Sequence, residues 1–127
     1  MPIQMKWTFI VNICLFCNLS GSPEIEFFEK KIRPILVDEC YQCHSEENKI
    51  KGNLRLDWKG GWLSGGDSGQ AIIPGQLGKS LLIQAIRHGN DELQMPPKKK
   101  LSAQQIEDLE KWVVMGAPDP RTSETPS

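Results

Sequence analysis

Cys40-Tyr41-Gln42-Cys43-His44 sets two thiols and an imidazole at positions i, i+3 and i+4. On one helical turn those positions share a face. Both sulfurs can then reach one edge of a flat ring system while the imidazole rises beneath its centre. A porphyrin held through its two vinyl groups and ligated at its iron needs that arrangement, and Cys-x-x-Cys-His is the c-type haem attachment sequence. A histidine elsewhere would leave the iron without a ligand from this turn. The expectation is one covalently attached haem c, held by Cys40 and Cys43 with His44 on the iron.

Three rival readings use the same side chains. Cys40, Cys43, His44 and His88 are just enough for a tetrahedral zinc site. Adjacent Cys43 and His44 would strain to bind one ion, however, and no second close ligand pair appears after residue 22. A thioredoxin-like dithiol needs a βαβ context, and none is legible here. The third rival is a plain disulfide staple in an exported, haem-free interaction module.

Upstream of the motif, Ser22-Pro23-Glu24 reads as a helix start, with Ser as N-cap, Pro at the first helical position and acids in the first turn. Ile25, Phe28, Ile32 and Ile35 recur at helical spacing and give one apolar face. Pro34 is expected to kink or end this helix near Arg33. Further upstream, Lys6 is the only charge before Glu24, and the apolar run Trp7 to Leu19 leads into Ser20, Gly21 and Ser22. A charged start, a short apolar run and a small-residue exit make a secretory signal peptide over 1–22. Cleavage fits best after Ser20 or Gly21, since cutting after Ser22 would leave Pro23 first. The alternative is an uncleaved anchor, although the run is short of the roughly 20 apolar residues of a membrane span. Cys14 and Cys17 lie in this segment, with Asn18 where a haem site needs histidine. Only Cys40 and Cys43 then remain in the mature chain, which is expected in the periplasm or another exported compartment.

Downstream, residues 45–79 read as mostly irregular. Leu54, Leu56 and Trp58 alternate in a short extended stretch, and glycines punctuate the chain from Gly60 to Gly78. Ser80 is a candidate cap for a second helix from Leu81 to His88, stopped by Gly89. The last helix has the clearest signal: Ser102 with Gln105 makes a capping box, Ile106, Leu109, Trp112 and Val113 share one face, and Gly116 and Pro118 end it. The domain is thus expected over 23–118, with a polar, flexible tail over 119–127. About three short helices joined by long glycine-rich connections leave a chain of this size short of core. A covalent haem would complete it.

The sixth iron ligand must come from elsewhere. Met95 sits before Pro96-Pro97, where stiff backbone can hold a thioether against the ring. Met115 falls about half a turn off the apolar face of the last helix. His88 is the other candidate, and an open site the third possibility.

Other features point to no competing chemistry. A net charge of −1 supplies no basic excess for nucleic acid. Gly78-Lys79-Ser80 resembles the end of a phosphate-binding loop, but Ile73 stands where that pattern needs glycine. Trp58, Trp62 and Arg55 are candidates for the haem edge or its propionates, with packing an equal explanation for the tryptophans. Lys98 to Lys100 form either a solvated run or a steering patch for an acidic redox partner.

Taken with the runs Phe27-Phe28-Glu29, Ile32-Arg33-Pro34-Ile35-Leu36, Gly52-Asn53-Leu54-Arg55-Leu56-Asp57, Gly65-Gly66-Asp67-Ser68-Gly69, Ser80-Leu81-Leu82-Ile83, Met95-Pro96-Pro97 and Gly116-Ala117-Pro118, the haem motif makes the chain resemble the planctomycete-type cytochrome c domain. The resemblance implies an all-α cytochrome c-like fold whose first and last helices cross near the haem, and axial ligation by His44 and Met95. Members often carry this domain at the front of longer exported proteins, whereas this chain stops soon after Pro118. The expected function is one-electron transfer to a redox partner protein of unknown identity, by a carrier and not an enzyme. A haem enzyme or sensor with a displaceable sixth ligand is the first alternative, and the haem-free module the second.

Overall fold

The computed structural model describes residues 22–123, so the signal peptide expected over 1–22 lies almost wholly outside the described residues. Helix α1 (Pro23–Phe27) begins as its sequence dictates, with the Ser22 hydroxyl accepting from the Ile25 amide at 3.3 Å. It runs on through a π-helical turn (Phe28–Ile32) into α2 (Arg33–Glu39). Pro34 therefore does not end the helix. The wide turn absorbs it: the Arg33 amide reaches back five residues to the Phe28 carbonyl, opening the spacing where a proline ring would clash with the preceding turn.

The remaining helices are α3 (Lys59–Ser64), α4 (Leu81–Ile86) and α5 (Ala103–Val114). No strand occurs among the described residues, only isolated bridges between His44 and Ile50 and between Gly66 and Gly69. The fold is mostly helical, with short 3-10 turns at Lys51–Asn53 and Leu77–Lys79. Helix α3 was not legible in the sequence, because Gly60-Gly61 reads as a turn. The glycines are there to admit an indole: a Cβ on either would come within 2.3 to 2.9 Å of Trp58 ring atoms. Helix α4 is shorter than its apolar pattern suggested. His88 takes the left-handed conformation (φ 54°) one residue before Gly89, so the chain turns out of the helix early. Ser80 precedes α4 without capping it. Its buried hydroxyl accepts from the Ile73 amide at 2.9 Å and donates to the Gln76 carbonyl at 2.8 Å, pinning the preceding loop.

Helix α5 carries its reciprocal capping box and stops before Gly116. Its Trp112 is the centre of the core. Phe28 lies 5.8 Å from it between ring centroids and Trp62 meets it edge-on at 5.9 Å, so the first and last helices pack together through aromatic rings. All three rings are fully buried. At roughly 150–250 Å² each and about 25 cal/mol per Å², each contributes a gross transfer free energy of about 4–6 kcal/mol. Arg87 joins α4 to α5 through Glu110 at 2.9 Å.

The segment after α5 corrects a second expectation. Read as a flexible tail from its polar composition, it is anchored over its first residues: Asp119 and Arg121 are buried. The Trp112 indole donates to the Pro118 carbonyl at 2.8 Å, and the Trp62 indole to Asp119 at 2.9 Å. The two core tryptophans carry polar edges that need acceptors, and this strap supplies them. Residues 124–127 lie outside the described residues.

Candidate haem site

Where α2 ends, Cys40 leaves the helix (φ −122°) and the chain makes one further turn, in which the Cys43 and His44 amides both donate to the Cys40 carbonyl, at 3.2 and 3.0 Å. The motif thus sits on a turn past the helix end. Three later carbonyls of the turn are also taken. Tyr41 accepts from the Ser45 hydroxyl at 2.6 Å and from Asn48, Cys43 accepts from the Lys51 amide at 2.7 Å, and His44 accepts from the Leu56 amide at 2.8 Å. Paired backbone groups of this kind hold the turn in one conformation.

The imidazole is oriented by the same neighbouring segment. Nδ1 of His44 lies 3.2 Å from the Leu54 carbonyl. A carbonyl can only accept, so Nδ1 carries the proton and Nε2 is left with its lone pair. Metal-bound histidines share this arrangement. Leu54 was noted in the sequence only for its side chain, since a backbone carbonyl leaves no signature there.

Cys40, Cys43, His44 and Met95 line one cleft. The cleft encloses about 210 Å³ and opens to solvent. Its lining is largely apolar, with Leu54, Leu56, Ala71, Leu82, Ala85 and Ile86 prominent. The loop at 65–69 closes one side by docking on residues 51–54. The Asp67 amide donates to the Gly52 carbonyl at 2.7 Å, and a Cβ on Gly66 would stand 2.6 Å from that same oxygen. Only glycine allows so close an approach. Two thiols, an imidazole with a free Nε2 and a thioether around a largely apolar, open cleft fit a covalent haem.

Burial pushes the Cys40 thiol up to about 12, with Glu39 and Cys43 adding to the effect. A dithiol oxidoreductase needs a lowered thiol. The Cys40 and Cys43 sulfurs are not bonded to each other, and among the described residues no three His, Cys, Asp or Glu side chains gather as a metal-binding group.

Met95 reaches the cleft from the loop between α4 and α5. Its amide donates to the Ala85 carbonyl at 3.0 Å, its peptide to Pro96 is cis, and its side chain is 37% exposed. His88 does not line the cleft. Its Nε2 donates to the Met95 carbonyl at 3.2 Å, so it steadies the methionine loop. Met115 is exposed at the end of α5, away from the cleft. Trp58, Trp62 and Arg55 also stand outside the lining. Arg55 pairs with Asp57 at 3.1 Å and Glu46 at 3.2 Å. Burial alone would raise the Asp57 carboxyl, but hydrogen bonds from Arg55 and the Glu46 amide, with the Arg55 charge, hold it below the usual carboxylate range. Of the lysine run, Lys99 pairs with Glu39 at 3.0 Å, linking the methionine loop to the end of α2.

The family model described as Planctomycete cytochrome C matches residues 40–99. The match begins on Cys40, takes in His44 and Met95, and stops before α5 and the Asp119–Arg121 strap. No curated protein and no solved structure matches the chain.

Proposed function

We propose, from the match of residues 40–99 to the planctomycete cytochrome c family model, a one-electron carrier with a single haem c. Cys40 and Cys43 would hold the ring as thioethers, and His44, through Nε2, and Met95 would ligate its iron. The observation that carries this reading is the convergence of all four side chains on one apolar cleft, with His44 Nδ1 already committed to the Leu54 carbonyl.

The haem, when bound, supplies one-electron exchange at its iron. The chain's own residues set the conditions for it. The Leu54 carbonyl fixes the imidazole plane and makes Nε2 a stronger donor. Leu54, Leu56, Leu82 and Ile86 keep water from the ring faces, and a dry surround together with a thioether opposite imidazole favours the reduced state. Two protein ligands on the iron would leave it no position for substrate, which suits a carrier better than a catalyst. An all-α cytochrome c-like fold, with the Phe28–Trp112 crossing behind the ring, belongs to the same proposal. So does export: covalent attachment of this kind is made outside the cytoplasm, and the apolar run Trp7 to Leu19 supplies the signal.

The optical spectrum of the oxidised protein tests the ligand set. A low-spin spectrum with the weak methionine-to-iron band is expected, and Met95→Ala should lose that band while keeping its haem. A high-spin wild-type spectrum would overturn the assignment. One observation favours a second reading, a haem sensor or enzyme subunit: Met95 is 37% exposed on a loop. Imidazole binding to the oxidised wild-type protein as readily as to the Met95→Ala variant would support it.

A further inference from the structure

We infer that Asp119 and Arg121, outside the matched region, are positioning residues for the haem histidine; the inference rests on the functional reading above. Arg121 is buried and every nitrogen of its guanidinium is engaged. Nε and Nη2 grip the Asp119 carboxylate at 2.9 and 2.6 Å, and Nη1 donates to the Leu56 carbonyl at 2.8 Å and to the Tyr41 hydroxyl. Its plane also lies 4.9 Å over the Phe28 ring. Asp119, fully buried, takes two further bonds, from the Arg121 amide at 2.9 Å and from the Trp62 indole at 2.9 Å.

The two groups that Arg121 reaches beyond Asp119 bracket His44. Tyr41 belongs to the haem-attachment turn itself. Leu56 is the residue whose amide donates to the His44 carbonyl, and Leu54, two residues before it, accepts from His44 Nδ1. The 54–56 segment is not part of any sheet among the described residues, so no ladder holds it in place. Its side chains Leu54 and Leu56 pack on the core, and Arg121 adds the side-chain hydrogen bond that fixes the Leu56 backbone, linking it to Asp119 and Trp62. The path runs from α3 and the strap through Leu56 to the imidazole proton.

A buried ion pair is a weak device for stability alone, because apolar replacements of both partners are often neutral or better. A pair whose spare donors reach the backbone that orients a ligand has a further use. Losing the outer-shell partner of a metal histidine typically weakens the site 10–100-fold. The same logic, one residue further out, assigns this pair its role.

Hydrogen exchange separates positioning from stability. In the reduced holoprotein, exchange of the His44 Nδ1 proton is compared by NMR with exchange of the Leu109 amide, which is buried in α5. The double variant Asp119→Asn/Arg121→Met removes both charges, keeps an acceptor for Trp62 and leaves the Leu56 carbonyl without its donor. Nδ1 exchange should speed up at least tenfold more than Leu109 exchange. Equal acceleration of the two would mean that the pair only stabilises the fold, and overturns the inference. Should the double variant not fold, Arg121→Lys keeps the charge but loses the fork, and a differential of about threefold or more is expected; no differential overturns the inference as well. A wild-type protein without covalent haem, seen by mass before any exchange is measured, sinks the functional reading itself. A haem-bearing protein without a differential sinks this inference alone.

Discussion

His44 and Met95 line the same cleft, yet the segments that carry them are held very differently. Around His44, the carbonyls of Cys40, Tyr41, Cys43 and His44 are all paired, the ring proton is bound to Leu54, and the surrounding segment is tied into the core by Arg121. The Met95 backbone makes two bonds, to the Ala85 carbonyl and the His88 ring; the other bonds of its loop join near neighbours from Asn90 to Gln94, and the ion pair at Lys99 has a lysine that is 66% exposed. The contrast teaches a division of labour. On the proposed reading, one ligand is fixed by a dense set of hydrogen bonds before any haem arrives, and the other stands on a loop with fewer ties to the core.

The largest effect should come from the rigid side. His44→Ala should abolish the stable low-spin holoprotein, measured as haem absorbance per protein mass after purification. Full-yield low-spin protein would break the comparison. Met95→Ala should leave the haem attached and lower the midpoint potential by more than about 59 mV, a tenfold change for one electron. An unchanged potential removes the methionine from the iron.

Asp57 sharpens the account on the histidine side. Its carboxyl sits below the unfolded value of about 3.9, so the stabilisation it gives is complete above that pH and is lost as pH falls through the lower folded value. Asp57→Asn should therefore cost about 1 kcal/mol or less at pH 7, the pair being partly exposed to solvent. The difference from wild type in denaturant midpoint should shrink to nothing in acid. A deficit that persists at low pH would assign Asp57 a role other than its charge. The smallest change is expected on the loop: Lys99→Ala should cost roughly 0.2–1 kcal/mol, and the difference should vanish in 1 M salt.

Legibility in the sequence followed the same division. The Ser22 cap and the capping box and apolar face of α5 are side-chain signals that stand where they were expected; the Cys40–His44 motif and Met95, also side-chain signals, line one cleft. Three features were hidden for identifiable reasons. Helix α3 contains Gly60-Gly61, whose use, admitting the Trp58 ring, depends on tertiary packing. Pro34 continues its helix because a π turn, which no residue type announces, absorbs the clash. Asp119 and Arg121 look like a solvated tail because their partners, Trp62, Tyr41 and Leu56, are 57, 80 and 65 residues away in sequence. The Leu54 carbonyl was invisible for the simplest reason, being backbone.

The most direct test of the central claim is the intact mass of the purified, fully denatured protein after expression with haem-attachment machinery. One haem should remain bound to the wild-type chain and none to Cys40→Ser/Cys43→Ser, since only thioether bonds survive denaturation. A wild-type mass without haem, or haem retained by the double variant, would contradict the account.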